Sequence, residues 1–332
     1  MKVRFAPSPT GSLHIGNALG AVANRNFGGT FLLRIDDTDP ARNVPGGEEA
    51  ILEDLRFIGV EWDEGPLRQS DRLERYREAA SGLPDRFQGV QLLRPDTGTA
   101  TYHLASVVDD IDFGITHVLR GSDHRPNEAL HRALAEALGA KPPDYVYWGL
   151  VLGDDGKKLS KRAAGASVAS LRDAGIPGEA VRRYLDELGL PKHDVHLDLD
   201  RIRSLAVDVI AGLPDDELAA RLGVPLAVVP ALGGAHDLNE ARALAATILE
   251  RPKISLPDER ATLERFRELR EGANGGLDKD GAKAIVRELK AVGGNLRAVR
   301  RALTGRDSGP ELWSVIAALP REETVARIDA AL

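Results

Sequence analysis

The stretch RFAPSPTGSLHIGN, residues 4–17, joins a short strand-like run to the first helical pattern of the chain. Apolar runs at residues 3–6 and 30–35 predict buried strands, and helical spacing at 16–25 and 47–58 predicts helices that alternate with them. This alternation predicts a parallel sheet with crossover helices, in which ligands bind beyond the carboxyl ends of the strands. Because the quoted loop follows the first strand, it is a candidate ligand-binding loop.

The composition of the chain is that of an ordinary globular protein. Its 332 residues are 42% hydrophobic and 29% charged, and a chain of this length usually forms two or three units of about 100–200 residues. The sequence has no cysteine, which excludes disulfides and thiolate zinc sites. No run approaches the roughly 18 apolar residues of a membrane span, and the start lacks the apolar core of a signal peptide, so a cytoplasmic protein is expected.

The second half of the chain is helical in pattern and holds a basic segment. Apolar residues recur three and four apart from about residue 178 onward, and the break at 190–198 predicts a boundary between domains 1–190 and 191–332. The net charge of the chain is −7. Within residues 283–306, however, one glutamate stands against seven basic residues: Lys283, Arg287, Lys290, Arg297, Arg300, Arg301 and Arg306. Such a segment forms either solvated helix faces or a surface that binds phosphates.

Two glycine-containing loops carry the residues of a phosphate-binding site. In the first, Gly11 and Gly16 would let the backbone approach a phosphate, the following helix would direct N–H groups at it, and His14 would add a donor. A simple tight turn explains this pattern equally well. The second loop, GDDGKKLSKR at 153–162, gathers four cations that would neutralise a polyphosphate under attack by a carboxylate, or would form a solvated basic turn. These cations are Lys157, Lys158, Lys161 and Arg162.

HIGN followed by KLSKR in an α/β context resembles the signature of the class I aminoacyl-tRNA synthetases, and the chain resembles the glutamyl-tRNA synthetase family in particular. The matching stretches, in order, are RFAPSPTGSLHIGN, LLRIDDTDPARNVPGGEEAIL, GVEWDEGPLRQSDR, TYHLASVVDDIDFGITHVLRGSDHRPN, KKLSKR and LTGRDSGPEL. The resemblance implies an α/β fold, with a Rossmann-like parallel-sheet catalytic domain followed by an all-α region that contacts the tRNA stem and anticodon. It implies a ligase that uses ATP to activate glutamate as glutamyl-adenylate and then transfers the glutamyl group to tRNA.

The resemblance also implies the site residues. A glutamate side chain needs planar, bidentate donors, which arginine supplies better than lysine. The implied glutamate pocket has Arg4, Arg120 and Tyr102 at the side-chain carboxylate, Ala6 and Ser8 on the wall, and Asp36 at the ammonium. The implied ATP-binding residues are Ser12, His14, Gly16, Asn17 and Lys161, and the implied catalytic residues are His14, Lys158 and Lys161. The implied tRNA-binding residues are Lys283, Arg287, Arg297, Arg300 and Arg301. Magnesium would arrive with ATP, with no dedicated metal site and no zinc, and the protein would be a monomer without a membrane partner.

The remaining acidic and histidine groups of the first half are expected to be structural. Adenylation by a carboxylate needs no general base, which argues against a catalytic role for Asp109 and Asp110. The spacing of the histidines fits no compact metal-ligand pattern, so they are expected to pack or to form hydrogen bonds. These histidines are His103, His117, His124 and His131.

Three features depart from the family pattern. Asp36 stands where the family has glutamate, a reach shorter by roughly 1.5 Å, and Arg125 adds a positive charge near the pocket at a position that is usually apolar. Residues 78–101 replace a connective domain that grips the acceptor end of tRNA. These departures leave open a paralogue that passes glutamate or an analogue to a carrier protein, a small amine or a modified tRNA base. A non-catalytic binding protein is a third alternative, against which the intact HIGN and KLSKR loops argue.

Overall fold

The computed structural model describes residues 1–153, 155–157, 159, 166–273 and 275–332. The chain forms two compact units, Met1–Leu205 and Ala206–Leu332. The boundary predicted at residue 190 lies before this division. No described helix is long and apolar enough to cross a lipid bilayer.

The first unit is built on short strands. These are β1 (Lys2–Phe5), β2 (Thr30–Ile35), β3 (Glu64–Arg68), β4 (Arg86–Phe87), β5 (Val90–Gln91), β6 (His117–Gly121), β7 (Asp144–Trp148), β8 (Val151–Leu152) and β9 (Val195–His196). β1, β2 and β3 form a parallel sheet with β2 in the centre. The parallel pair β6–β7 lies beside β1, where the Thr116 backbone N–H donates to the Lys2 carbonyl at 2.9 Å. The carboxyl ends of β1, β2, β6 and β7 therefore share one edge.

Helices connect these strands, as the sequence pattern predicted. They are α1 (Ile15–Phe27), α2 (Gly47–Phe57), α3 (Leu73–Ser81), α4 (Tyr102–Asp112), α5 (Glu128–Ala137), α6 (Val168–Asp173) and α7 (Gly178–Leu188), followed by α8 (Leu199–Gly212). Short 3-10 turns occupy Gln69–Arg72 and Ser122–Asn127. In β2, Phe31, Leu32, Leu33 and Ile35 are all buried, and such a continuous apolar run is typical of a parallel strand covered on both faces. The predicted α/β fold is confirmed.

A hairpin occupies the segment where the family resemblance implies a connective domain. β4 and β5 pair antiparallel, and their turn places Gln88 and Gly89 in the left-handed region, at φ values of 49° and 83°. Two successive positive φ angles match the right-handed twist of a tight hairpin. Leu92 and Ala100 then pack with Tyr76 of α3 and return the chain to α4.

The second unit is helical in every described element. Its helices are α9 (Asp215–Leu222), α10 (Leu238–Leu249), α11 (Arg260–Gly272), α12 (Lys279–Ala291), α13 (Leu296–Thr304), α14 (Leu312–Ala318) and α15 (Arg321–Ala331), with 3-10 turns at Leu226–Ala231 and Pro257–Glu259. Their apolar faces enclose one core that includes Phe266, Ile285, Val299 and Val315. The helical character predicted for the C-terminal region is confirmed in this unit, whereas strand β9 (Val195–His196) falls inside the predicted helical range 191–332 and pairs with β8.

Candidate active site

A cleft of about 670 Å³ opens beyond the carboxyl ends of β1, β2, β6 and β7. Of the ten predicted glutamate- and ATP-binding residues that the structure describes, nine line this cleft: Arg4, Ala6, Ser8, His14, Gly16, Asn17, Asp36, Tyr102 and Arg120. Ser12 does not line it, because its hydroxyl is hydrogen-bonded to Asp54 at 2.6 Å. The predicted residues Lys158 and Lys161 lie outside the described residues. The sheet edge thus brings together residues that are up to 116 positions apart in sequence.

The HIGN segment begins α1 and places an imidazole at the N-terminus of that helix. His14 is the N-cap, and its Nδ1 accepts a hydrogen bond from the Asn17 backbone N–H at 3.2 Å. A neutral ring whose Nδ1 accepts carries its proton on Nε2. Gly16 leaves room for this ring, because a Cβ there would lie 3.1 Å from the His14 Cε1 atom, closer than ordinary van der Waals contact. A helix N-terminus and a neutral imidazole donor both favour an anion in the cleft.

Four buried charged groups link β1, β2 and α4 beside the cleft. Arg34 donates to Asp36 from Nε at 2.7 Å and from Nη2 at 3.2 Å. Asp110 Oδ1 accepts from Arg4 Nε at 3.0 Å and from Arg34 Nη1 at 3.2 Å. Asp36, predicted to meet the substrate ammonium, is thus already paired with Arg34. Arg34 is not among the residues predicted from the sequence, although an arginine within the apolar strand TFLLRI indicates a buried charge that needs an acidic partner.

Burial acts against the charges of this network. It raises the pKa of Asp36, and Arg34 opposes the rise. Burial lowers the pKa of Arg34, but Asp36, Asp110 and Asp109 outweigh it, so this pKa lies well above its ordinary value. Arg34 therefore stays charged and opposes the effect of burial on the Asp36 carboxylate.

Asp109 has a structural role, as expected. It is fully buried and accepts hydrogen bonds from Gln69, Arg72 and Tyr76 at 2.8–2.9 Å. These bonds tie the turn at Gln69–Arg72 and helix α3 to α4. Asp110 also has a structural role, because it holds the Arg4 side chain in place through a hydrogen bond from Arg4 Nε.

Arg120 differs from the other buried arginines of the cleft, Arg4 and Arg34, because it forms no salt bridge among the described residues. Its side chain is buried, and Nη1 donates to the Tyr102 hydroxyl at 3.1 Å. Its Nε and Nη2 atoms are buried without a hydrogen-bond partner of good geometry. The rings of Tyr145 and Tyr147 flank the guanidinium, with centroids 5.0 and 5.8 Å from Cζ. A buried cation without a counter-ion is costly unless an anion joins it, so Arg120 is the group most in need of an anionic ligand.

A histidine pair packs behind Tyr102. His103 Nδ1 lies 3.0 Å from His131 Nε2, and both rings contact Tyr102. Burial, followed by the charge of Arg120 and by His103, lowers the pKa of His131 to about 3. His131 is therefore neutral near pH 7, and it forms a hydrogen-bonded pair with His103.

We expect His131 to make the fold acid-sensitive. The unfolded histidine binds a proton below about pH 6.5, whereas the folded one does so only near pH 3, so stability falls as pH drops through this window. For one such group the loss at pH 5 is about 2 kcal/mol. His131→Gln, which keeps a polar group near the Nε2 position, should flatten the dependence of the free energy of unfolding on pH, measured by urea denaturation between pH 7 and 5. The exposed His193→Gln variant is the control and should follow the unmodified protein; an unflattened curve for His131→Gln would contradict the assignment.

Family models match both units of the chain. The model for the catalytic domain of class I tRNA synthetases (E and Q) matches residues 1–86 and 88–205, and a model for an anticodon binding domain matches residues 242–332. The chain belongs to the class I tRNA synthetases of the E and Q family. Its HIGN segment and cleft therefore lie in the catalytic domain of an enzyme, as the resemblance implied.

Relatives match the synthetase over its whole length. Glutamate–tRNA ligase 1 of Rubrobacter xylanophilus is 33% identical over 422 positions, covering 100% of this chain and 97% of the relative. Glutamate–tRNA ligase 2 of Gluconobacter oxydans is 32% identical, covering 99% of each chain. A solved glutamate tRNA ligase from Elizabethkingia meningosepticum shares the fold, with a TM-score of 0.75 at 22% identity over 99% of this chain and 98% of that one. The alignment with the Rubrobacter xylanophilus ligase is 422 positions long, whereas the synthetase has 332 residues. That ligase therefore contains segments with no counterpart in the synthetase.

Arg125, a departure from the family pattern, does not line the synthetase's cleft. Its guanidinium lies over the Tyr147 ring, 4.7 Å from the centroid. Arg120 is a neighbour of the same ring. The predicted positive charge is thus close to the pocket but outside its wall.

The five predicted tRNA-binding residues of the helical unit separate into two groups. Lys283 and Arg287 line a cavity of about 280 Å³ beside Trp313, and Lys283 Nζ lies 5.2 Å from the centroid of that ring. Neither forms an ion pair within the part of the chain that the structure describes. The other three have partners: Arg297 and Arg301 approach Asp307 at 3.0 and 3.5 Å, and Arg300 donates to the Pro310 carbonyl.

Over residues 1–153, 155–157, 159, 166–273 and 275–332, no group of three or more histidine, aspartate or glutamate residues is arranged to hold a metal ion.

Proposed function

We propose that this synthetase activates glutamate with ATP and transfers the glutamyl group to tRNA. The observation that carries the proposal is Arg120, a buried cation in the cleft of a class I synthetase, with no salt bridge among the described residues and held by Tyr102. A glutamate side chain supplies the missing anion in the planar, bidentate form that a guanidinium prefers. Uncharged amino acids would leave this cation buried and unpaired, which gives the site its selectivity.

The substrate backbone lies, in this proposal, between Asp36 and the HIGN segment. Asp36 lines the cleft and takes the ammonium while Arg34 holds its carboxylate in place. The α-carboxylate then attacks the α-phosphorus of ATP, forming the acyl-phosphate bond as the bond to pyrophosphate breaks. His14, Gly16 and Asn17 at the start of α1 hold the nucleotide phosphates, and the predicted Lys158 and Lys161 neutralise the departing pyrophosphate. Magnesium arrives with ATP.

The decisive experiment is ATP–pyrophosphate exchange over a panel of amino acids, with and without tRNA. Exchange with glutamate alone among the panel, followed by charging of tRNA, is the expected result. No exchange with any acidic amino acid in either condition would overturn the proposal.

A second function is favoured by the hairpin β4–β5, which stands where the resemblance implies a domain that grips the tRNA acceptor end. In this alternative the enzyme adenylates glutamate or an analogue and passes it to a carrier protein, a small amine or a modified tRNA base. Glutamate-dependent exchange without charging of any tRNA in a total tRNA pool would favour this alternative.

We also propose that Lys283 and Arg287 contact tRNA phosphates, because both lack ion-pair partners among the described residues. The double variant Lys283→Ala/Arg287→Ala should weaken tRNA binding about tenfold at low salt and reduce the slope of log K against log salt by about 2. Filter binding across a salt series measures both quantities. The double variant Arg265→Ala/Arg267→Ala is the matched control, since it removes two cations that are paired with Glu268 and Glu271. Equal losses in the two double variants would refute a specific contact.

The remaining expectations concern location and assembly. We propose a cytoplasmic enzyme that works as a monomer, and sedimentation equilibrium at micromolar concentration tests the oligomeric state. A mass of 35.7 kDa is expected.

A further inference from the structure

A buried carboxylate outside the cleft connects the loop before HIGN with helix α6. Asp54 of α2 is fully buried, and its Oδ2 accepts hydrogen bonds from the Ser12 hydroxyl at 2.6 Å and the Leu13 backbone N–H at 2.7 Å. The Ser12 hydroxyl oxygen in turn accepts the backbone N–H of Ala169 at 3.2 Å. The Oδ1 atom of Asp54 lies 3.5 Å from Arg172 Nη1. One carboxylate therefore holds the loop and reaches α6 twice, through Ser12 at its first turn and through Arg172 near its end.

The backbone on the C-terminal side of the KKLSKR motif pairs with the same loop. The Ile15 N–H donates to the Ala166 carbonyl and the Val168 N–H to the Leu13 carbonyl, both at 2.9 Å. His14 and Ser167 form an antiparallel bridge between these two bonds. Residues 12–15 and 166–169 are thus fixed side by side, with Ser12 as the side-chain link between them.

We propose that Asp54 is a positioning residue for the adenylation step, which acts through Ser12 to fix His14 relative to the chain that follows KKLSKR. Neither Asp54 nor Ser12 lines the cleft, so neither contacts substrate directly. Their effect on rate comes from preorganisation, since a displacement of about 1 Å in a reacting group can cost on the order of a hundredfold. This inference rests on the proposed function, because it concerns the rate of amino-acid activation.

The sharpest test is Ser12→Ala, which removes the link to Ala169 and leaves the Leu13–Asp54 bond. We expect kcat for glutamate-dependent ATP–pyrophosphate exchange to fall about tenfold, while KM for glutamate changes less than about twofold, because the link lies apart from Arg120 and Tyr102. Amide hydrogen exchange in the peptide 166–172, measured by mass spectrometry, should be faster in Ser12→Ala than in the unmodified enzyme. Ser12→Thr retains the hydroxyl and should restore both values.

Asp54 variants test the acceptor itself. In Asp54→Asn the side-chain oxygen can still accept from Ser12 and Leu13, so we expect kcat within about threefold of the unmodified enzyme, since the hydrogen bonds are retained. Asp54→Ala removes both hydrogen bonds to Oδ2 and the ion pair with Arg172, and it should reduce kcat more than Ser12→Ala does. If Asp54→Ala does not fold, the comparison of Ser12→Ala with Ser12→Thr tests the positioning role by itself.

Asp63 provides a control, a carboxylate that also accepts a backbone N–H. It lies just before β3, and its Oδ2 accepts the Phe31 backbone N–H at 2.7 Å and pairs with Arg25 at 3.0 Å, at the amino end of β2 and away from the cleft. Asp63→Ala should lower the melting temperature without changing kcat. The inference is overturned if Ser12→Ala keeps the full kcat, or if Asp63→Ala lowers kcat to the same extent at equal loss of stability. Absence of ATP–pyrophosphate exchange in the unmodified enzyme would instead overturn the proposed function. Amide hydrogen exchange in peptide 166–172 would still test the link between residues 12–15 and 166–169: a faster rate in Ser12→Ala supports it, and an unchanged rate contradicts it.

Discussion

Replacing Arg120 with methionine is expected to raise the KM for glutamate about a hundredfold. Removing one partner of a buried, hydrogen-bonded charge pair costs about 2–5 kcal/mol, and each 1.4 kcal/mol is about tenfold in binding. Arg120 has this role in the proposed complex because it lines the cleft, is buried and forms no salt bridge with any described residue. Steady-state ATP–pyrophosphate exchange at varied glutamate measures the effect, and kcat should change less than KM.

Two comparisons make this prediction specific. Arg132→Met is the control, since Arg132 stacks on the same Tyr145 ring but pairs with Glu128 outside the cleft, and its KM should stay within about twofold because surface pairs contribute little. Without substrate, Arg120→Met should melt no lower than the unmodified enzyme, since it removes a buried charge that has no counter-ion. An unchanged KM for Arg120→Met would exclude Arg120 as the carboxylate-binding group.

The largest effect on stability is expected at Asp110. Asp110→Ala leaves Arg4 without its carboxylate and takes one partner from Arg34, so the free energy of unfolding should fall by about 3–5 kcal/mol, the usual cost of breaking a buried ion pair. Urea denaturation followed by far-ultraviolet circular dichroism measures this loss. Because Arg4 also lines the cleft, the variant should lose glutamate binding at temperatures where it remains folded.

Asp112→Ala is the control on the same helix. Asp112 pairs with Arg72 and Arg75, but these side chains are 21–40% exposed, and exposed pairs are worth about 1 kcal/mol or less. Similar losses at Asp110 and Asp112 would contradict a special role for the buried network.

The parts of the fold that depend on local pattern could be predicted from the sequence. The apolar runs at 3–6 and 30–35 are β1 (Lys2–Phe5) and β2 (Thr30–Ile35), and the loop after β1 lies at the cleft. A buried parallel strand and a helix N-terminus can each be predicted from a few consecutive residues. The predicted site residues within such motifs, His14 and Gly16 among them, therefore lie together in the cleft.

Contacts between distant residues could not be predicted. Arg4 meets Asp110 across 106 positions, and Ser12 meets Asp54 across 42. No local pattern encodes either pair, so Asp36 was assigned to the ammonium without its partner Arg34, and Ser12 was assigned to ATP although its hydroxyl is engaged elsewhere. In the helical unit, spacing alone could not show that Arg297 and Arg301 share Asp307, because that depends on how the chain turns after α13.

The hairpin β4–β5 is a place where the chain can accept a longer inserted segment. Its arms enter and leave at paired positions, Arg86 opposite Gln91, so the two chain ends are already side by side where the turn begins. Closing a longer loop at such a point costs only about 0.6 kcal/mol for each doubling of its length. A longer segment inserted at this turn would therefore cost little loop-closure entropy, because the paired arms already hold its two ends together.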